Sequence, residues 1–584
     1  MRDVEFRRLP QLAVVLFALV DVSPAPAADL IITGGPIITV DERRPQAEAL
    51  AVRDGRIVAV GSREEVLRLV GSATATLDLG GRTLVPGFID AHGHAYSCGT
   101  QSLAANLRAA PDGHVTDIAS LQATLRRWAA ERERGRGPEW IHGVGYDDSQ
   151  LAERRHPDRD DLDAVSADLP VTVIHQSGHL AAANGRALAR AGIDAATPDP
   201  PGGAIRRRPG TQEPDGVLEG AAIQLVTAVQ PAEPVDAGAI ARVAQDLYLQ
   251  NGFTTAQEGK SRPAVDAAWA GLADCGELLM DVVSYPSATQ GLQAMESPYV
   301  GRRYRGHFRI GGVKVTLDGS PQGRTAWLTQ PYYRVPEGRS IDYAGYPALK
   351  EERVFAIVDE AFARGWQLLA HVNGDAAADQ LIRAVRAAEQ RHGRADRRTV
   401  AIHAQTVRDD QLAAFAELGI VPSFFTLHTF YWGDWHRHTV LGPERGCNIS
   451  PTGWALRRGL PFTVHHDAPV VPADGIRVLA ATVNRVARGS GDVVGAEHCV
   501  PPLMALKAMT LWAARQYFEE DAKGSIEVGK LADFTVLSAN PLAVDPMRIG
   551  EIRVEETIKE GRSVYRRQRS APAARSAPGP HPPQ

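Results

Sequence analysis

Two histidines one residue apart, His92 and His94, close the short apolar run 84–91. Along a strand, residues i and i+2 face the same way, so both imidazoles address one point in space, and a metal ion is the expected occupant. Asp90 shares that face and predicts a carboxylate that anchors a histidine ring and fixes its tautomer. Further on, His, Lys or Asp recurs where apolar strand-like runs end: Lys314 and Asp318 in and after 312–317, His371 at the end of 367–371, His403 at the end of 399–403, and Asp467 after 462–466. Taken singly, each histidine reads as a core residue satisfied by its neighbours. Together they read as one constellation. The four cysteines (Cys98, Cys275, Cys447, Cys499) are scattered with no C-x-x-C pair, so any metal is held by nitrogen and oxygen.

Those residues need a frame that brings strand ends together. The strand-like runs, with another at 171–175 and a further start at 420–424, alternate with helical stretches such as 354–364, 376–391 and 409–418. Strands separated by helices pair in parallel, and eight such units close into a (β/α)8 TIM-like barrel whose active site is built from the strand C-terminal ends. Ahead of it, residues 28–85 carry short strands punctuated by Gly34-Gly35, Asp54-Gly55 and Gly80-Gly81, and strand-like sequence returns within 520–565. The expected organisation is therefore a discontinuous β-sandwich from both chain ends (28–85 and 520–565) around a barrel (86–519). An insertion at about 95–235 would sit near the barrel mouth.

Composition narrows the partners. The 584-residue chain carries a net charge of −5 and no basic stripe, which argues against nucleic acid and for small-molecule chemistry. Arg2, Arg7 and Arg8, the apolar stretch 12–20 and Ala25-Pro26-Ala27 follow the order of a cleaved signal peptide (1–27), predicting a periplasmic or secreted protein with no stable membrane insertion. The tail from Arg566 to 584, rich in Pro, Ala, Ser and Arg, predicts disorder. A homodimer is a candidate assembly.

The ordered set Val85-Pro86-Gly87-Phe88-Ile89-Asp90-Ala91-His92-Gly93-His94, Val313-Lys314-Val315 with Asp318-Gly319-Ser320, His371 with Gly374-Asp375, His403-Ala404-Gln405, Asp467-Ala468-Pro469 and 524–533 resembles the amidohydrolase superfamily, in the branch that includes N-substituted formamide deformylases. The resemblance implies that His92 and His94 hold a first metal, His371 and His403 a second, that Asp467 binds the first metal and exchanges protons with attacking water, and that Lys314 is carboxylated into a bridging ligand. An unmodified Lys314 anchoring a substrate carboxylate is the alternative. Zinc, one or two ions, is the implied cofactor, with Mn2+, Co2+ or Fe2+ as substitutes. The implied reaction is hydrolysis of an amide-like C–N bond, N-formyl, N-acyl or cyclic. A barrel that keeps the metal but serves only in binding or regulation is the competing class, and it would need neither Asp467 nor Lys314. His179 and Tyr146 in the insertion, with Asp318 and Arg324, are the substrate-binding candidates. Two departures stand out: Ile402 where the branch has an acidic residue, and His465-His466 where it has glycine and serine. Period-two alternation turns His466 away from Asp467.

Overall fold

The computed structural model describes residues 27–133, 138–231, 236–336 and 338–568. The expected leader and tail lie outside them, save Ala27 and 566–568.

Turn chemistry sets the first strands. Asp54 and Gly55 both take positive φ (50° and 71°), as a two-residue hairpin turn requires, and Ala49–Arg53 pairs antiparallel with Arg56–Gly61. With Leu30–Thr33 and Ala75–Asp78 they make a four-stranded sheet. A six-stranded sheet interleaves the chain ends: Thr83–Pro86 lies between Ile37–Ile38 and Phe534–Leu537, and Val554–Lys559 and Arg562–Arg566 extend it. Ile32, Leu50, Leu84, Phe534, Val536 and Ile558 share one buried cluster.

The central region forms two parallel sheets. Phe88–Ile89, Phe253–Ser261, Asp281–Pro286 and Phe308–Ile310 make the first; Gly312–Thr316, Gln367–Val372, Val400–His403, Val421–Phe424 and Thr463–Val464 make the second. Phe308–Ile310 and Gly312–Thr316 are one run broken at Gly311. A Cβ on Gly312 would stand 2.0 Å from the Gln367 carbonyl oxygen, so only glycine lets the neighbouring strand approach. The two sheets meet at a parallel bridge between Ser287 and Lys314. Near their other edges Asp467 N–H donates to His92 O (3.1 Å) and His94 N–H to Ala468 O (2.7 Å). The ladder is thus two arcs rather than the single closed sheet expected. Helices Glu351–Arg364 and Asp409–Leu418 each bury one apolar face and end at a glycine with positive φ, Gly365 and Gly419.

One expected central strand belongs elsewhere. Val171–His175 lies in a separate mixed sheet, ordered Gly203–Arg207, Pro214–Gly220, Leu180–Ala183, Val171–His175, Ile141–Tyr146, Ala105–Asn106. Its antiparallel neighbour Leu180–Ala183 follows after a short turn, which satisfies its ladder locally. Leu107, Leu121, Leu125, Tyr146 and Val173 give this insertion a core of its own. Among the described residues no helix is long and apolar enough to cross a membrane.

Candidate metal centre

The strand ends bring most of the predicted ligands together. Asp467 Oδ1 stands 3.4 Å from His92 Nε2 and 3.4 Å from His94 Nε2, while its Oδ2 is 3.9 Å from His403 Nδ1. Lys314 Nζ lies 3.1 Å from His92 Nε2. Ligand atoms of His92, His403 and Asp467 all fall within 4.8 Å of one another. His371 is one step away: its ring centroid is 4.5 Å from that of His403.

This donor set fits a divalent cation. Asp467 Oδ1 is buried and has no hydrogen-bond partner, an orphaned anion facing two imidazoles. Burial holds His92 and His403 well below the ordinary histidine range and His371 down at about 3, so all three are neutral imidazoles. Burial also lowers the Lys314 ammonium to about 7. Neutral imidazoles with a carboxylate are the donors that zinc-like ions take.

Gln257 orients His92. Its Nε2 donates to Ala91 O (2.8 Å) and Tyr517 OH (2.6 Å), which leaves Oε1 facing His92 Nδ1 at 2.5 Å. His92 therefore carries its proton on Nδ1 and turns the Nε2 lone pair toward Asp467 and Lys314. The anchor expected at Asp90 is corrected: its Oδ1 accepts the His92 backbone N–H and its Oδ2 the Tyr248 hydroxyl, and neither touches the His92 ring.

His465 was the larger omission. It shares the face of Asp467 and places Nε2 3.1 Å from His403 Nδ1, with its own Nδ1 2.8 Å from Ser423 Oγ. His466 turns away as expected, with Nε2 3.4 Å from Asp90 Oδ1. His403, Ala404 and Asp467 all take positive φ (74°, 45° and 53°), a conformation L-residues hold only where packing compels it and one that clusters at functional sites.

The substrate candidates separate. His179 lines the cavity beside His371, Asn373, His403 and Asp467. Its N–H donates to Ser177 Oγ (3.1 Å), which also meets His175 Nδ1 (2.8 Å), while His175 Nε2 is 3.2 Å from Asp148 Oδ1. Asp318 instead braces His371: it is buried, lies 3.2 Å from His371 Nδ1, and accepts backbone N–H groups of Asn373, Gly374 and Trp327. Tyr146 is buried, its hydroxyl 3.2 Å from His156 Nδ1, and does not line the cavity. Arg324 lies 5.7 Å over the Trp435 ring and is also outside the lining.

Residues 75–565 match the model of the amidohydrolase family. The protein LONG AFTER FAR-RED 3 of Arabidopsis thaliana is 29% identical over 526 residues, 88% of this chain and 88% of that protein. N-substituted formamide deformylase of Arthrobacter pascens is 26% identical over 571 residues, 92% of this chain and 98% of that enzyme. The crystal structure of an uncharacterized metal-dependent hydrolase from Pyrococcus horikoshii shares the fold, with a TM-score of 0.69 over 88% of this chain and 99% of that chain at 24% identity.

Proposed function

The chain belongs to the amidohydrolase family, and from that premise we propose a metal-dependent hydrolase that cleaves an amide-like C–N bond, N-formyl, N-acyl or cyclic. The observation that carries the reading is the orphaned Asp467 oxygen between His92 and His94. His92, His94, Lys314, His371, His403 and Asp467 would hold one or two ions, zinc first. Such an ion supplies Lewis acidity, polarising a carbonyl and letting water attack near neutral pH. The protein's own groups do the rest. Asp467 takes the proton of the attacking water and returns it to the leaving nitrogen. Ser320 Oγ, Gln322 Oε1 and Asn373 Oδ1 are buried without partners in residues that line the same cavity, and they orient the amide with His179. Lys314, held toward the neutral amine by burial, adds CO2 to become a carbamate ligand.

The same reading joins the two parallel arcs into one (β/α)8 barrel, with the terminal strands as a discontinuous β-sandwich domain and the insertion over the mouth. It also carries the leader as an export signal, for which a mature N-terminus near Ala28 in the native host is the test.

The function is tested by metal analysis and amine release from a panel of N-formyl, N-acyl and ester compounds. Chelation should abolish release and zinc, cobalt or manganese restore it, and Asp467→Asn should lower the rate by about 10^2–10^4-fold. Activity indifferent to exhaustive chelation would overturn the mechanism. Tight metal binding without turnover on any compound would leave a binding protein.

A further inference from the structure

A cavity of about 460 Å3 opens between the insertion and residues 431–439, a volume that suits a small organic ligand. Its wall is cationic. Arg154, Arg334 and Arg488 line it, and among the described residues no carboxylate lies within 4.0 Å of their charged nitrogens, Asp147 and Asp112 acting on Arg488 only from further away. Arg154 donates to the Ser149 carbonyl and Arg488 Nη1 to the Ala110 carbonyl (2.5 Å), contacts that hold the side chains without neutralising them. Arg488 Nη2 is buried and has no hydrogen-bond partner at all. The lining carboxylate, Asp434, is already committed to Arg437 (2.7 Å) and Ser490 (2.7 Å).

A wall of arginines without an ion-paired carboxylate favours an anion in the space they enclose. The flat walls identify the rest of the ligand. Tyr431 and Trp435 border the cavity; the Arg488 guanidinium covers the buried Tyr431 ring at 4.7 Å, and Trp435 is the partly exposed ring. Such a wall accepts a planar, apolar body beside the charge. We propose that this cavity is a binding site for an organic carboxylate carried on a planar ring, with Arg488 and Arg154 holding the carboxylate and Trp435 the ring.

The site adjoins the metal centre without belonging to it. Trp435 Nε1 donates to the carbonyl of Gln322 (3.0 Å), and Gln322 lines the metal-side cavity. The ligand is either the acidic part of a substrate or a separate acid; competitive inhibition of turnover by the probe marks the first, and binding without inhibition the second.

Sodium benzoate is the probe, benzamide its neutral counterpart, and calorimetry on the full-length protein the measurement. Benzoate should bind at one site and weaken on adding salt, and benzamide should not compete. Arg488→Gln should weaken benzoate at least tenfold, and Arg154→Ala, at an exposed side chain whose loss spares the fold, several-fold. Asp467→Asn and chelated protein should bind benzoate as the wild type does, so the outcome stands apart from hydrolysis. Absent benzoate binding, equal binding of benzamide, unchanged affinity in both arginine variants, or loss in Asp467→Asn would each overturn the proposal.

Discussion

Replacing His465 tests how His403 is held in the proposed metal centre. For His403 to offer Nε2 to an ion, Nδ1 must carry the proton. That proton then points at His465 Nε2, 3.1 Å away, and His465 in turn donates from Nδ1 to Ser423 Oγ at 2.8 Å. All three side chains are buried, and burial keeps both imidazoles neutral. His465→Ala leaves the His403 N–H buried without an acceptor, a cost of about 1–3 kcal/mol. Loss of the group that orients a ligand histidine lowers metal affinity by about 10–100-fold, which is the same energy read through binding. His465→Gln keeps an acceptor within reach and should recover most of it. The assay is zinc affinity by competition with a chromophoric chelator, beside zinc content by elemental analysis, on variants whose thermal unfolding shows them folded. His465→Ala with zinc affinity within about twofold of the wild type would refute the reasoning, because that figure lies below any orienting effect.

Lys314→Ala should lower metal occupancy and collapse turnover while the fold survives, acetate should partly restore activity, and Lys314→Arg should not rescue, since guanidinium cannot take up CO2; full occupancy and a near-normal rate would leave one ion on His92, His94 and Asp467. Asp281 accepts hydrogen bonds from Lys523 and Lys559, tying a C-terminal strand to the central sheet. Asp281→Asn takes one carboxylate from each of two buried ammonium groups, Lys523 keeping Glu519 and Lys559 keeping Asp533, and should cost about 1–3 kcal/mol in chemical denaturation, with no measurable loss contradicting that role. At His175, burial lowers the imidazolium pKa but hydrogen bonds and charge from Asp147 and Asp148 outweigh it and raise it to about 9. A raised histidine contributes its full stability below the unperturbed 6.5 and loses it as pH climbs through about 9, so the melting temperature should fall across that window and His175→Gln should flatten the fall.

The convergence of the candidate ligands was legible because it needs only local rules. Period two places His92 with His94, and strand ends place Lys314, His403 and Asp467, before any tertiary contact is known. What escaped depends on distant partners. Phe253–Ser261 reads Phe-Thr-Thr-Ala-Gln-Glu-Gly-Lys-Ser, too polar to resemble a buried strand, yet Gln257 is satisfied by His92, Ala91 and Tyr517, and Glu258 by Tyr96 N–H and Trp269 Nε1–H. Val171–His175 failed in the opposite sense, since a fully buried strand shows the same apolar run whichever sheet receives it. Asp318 was misread because the loop after it folds back to place Trp327 N–H on its carboxylate, turning the side chain toward His371 rather than the cavity.

The division between strands and insertion bears on how substrate choice is built. The candidate ligands sit on or directly beside the parallel strands, whose ladders break if any strand shifts, so their geometry is bound to the central core. His179 reaches the same cavity from outside that ladder. Its place is set by the Ser177 turn and by His175 and Asp148 behind it, inside an insertion with its own buried cluster. Substitutions in the insertion can therefore move His179 without unseating Asp467 or His92. On the proposed mechanism, exchanges at Ser177 or His179 should change which amide is accepted while metal affinity stays constant, whereas exchanges at Gln257 or His465 should do the reverse.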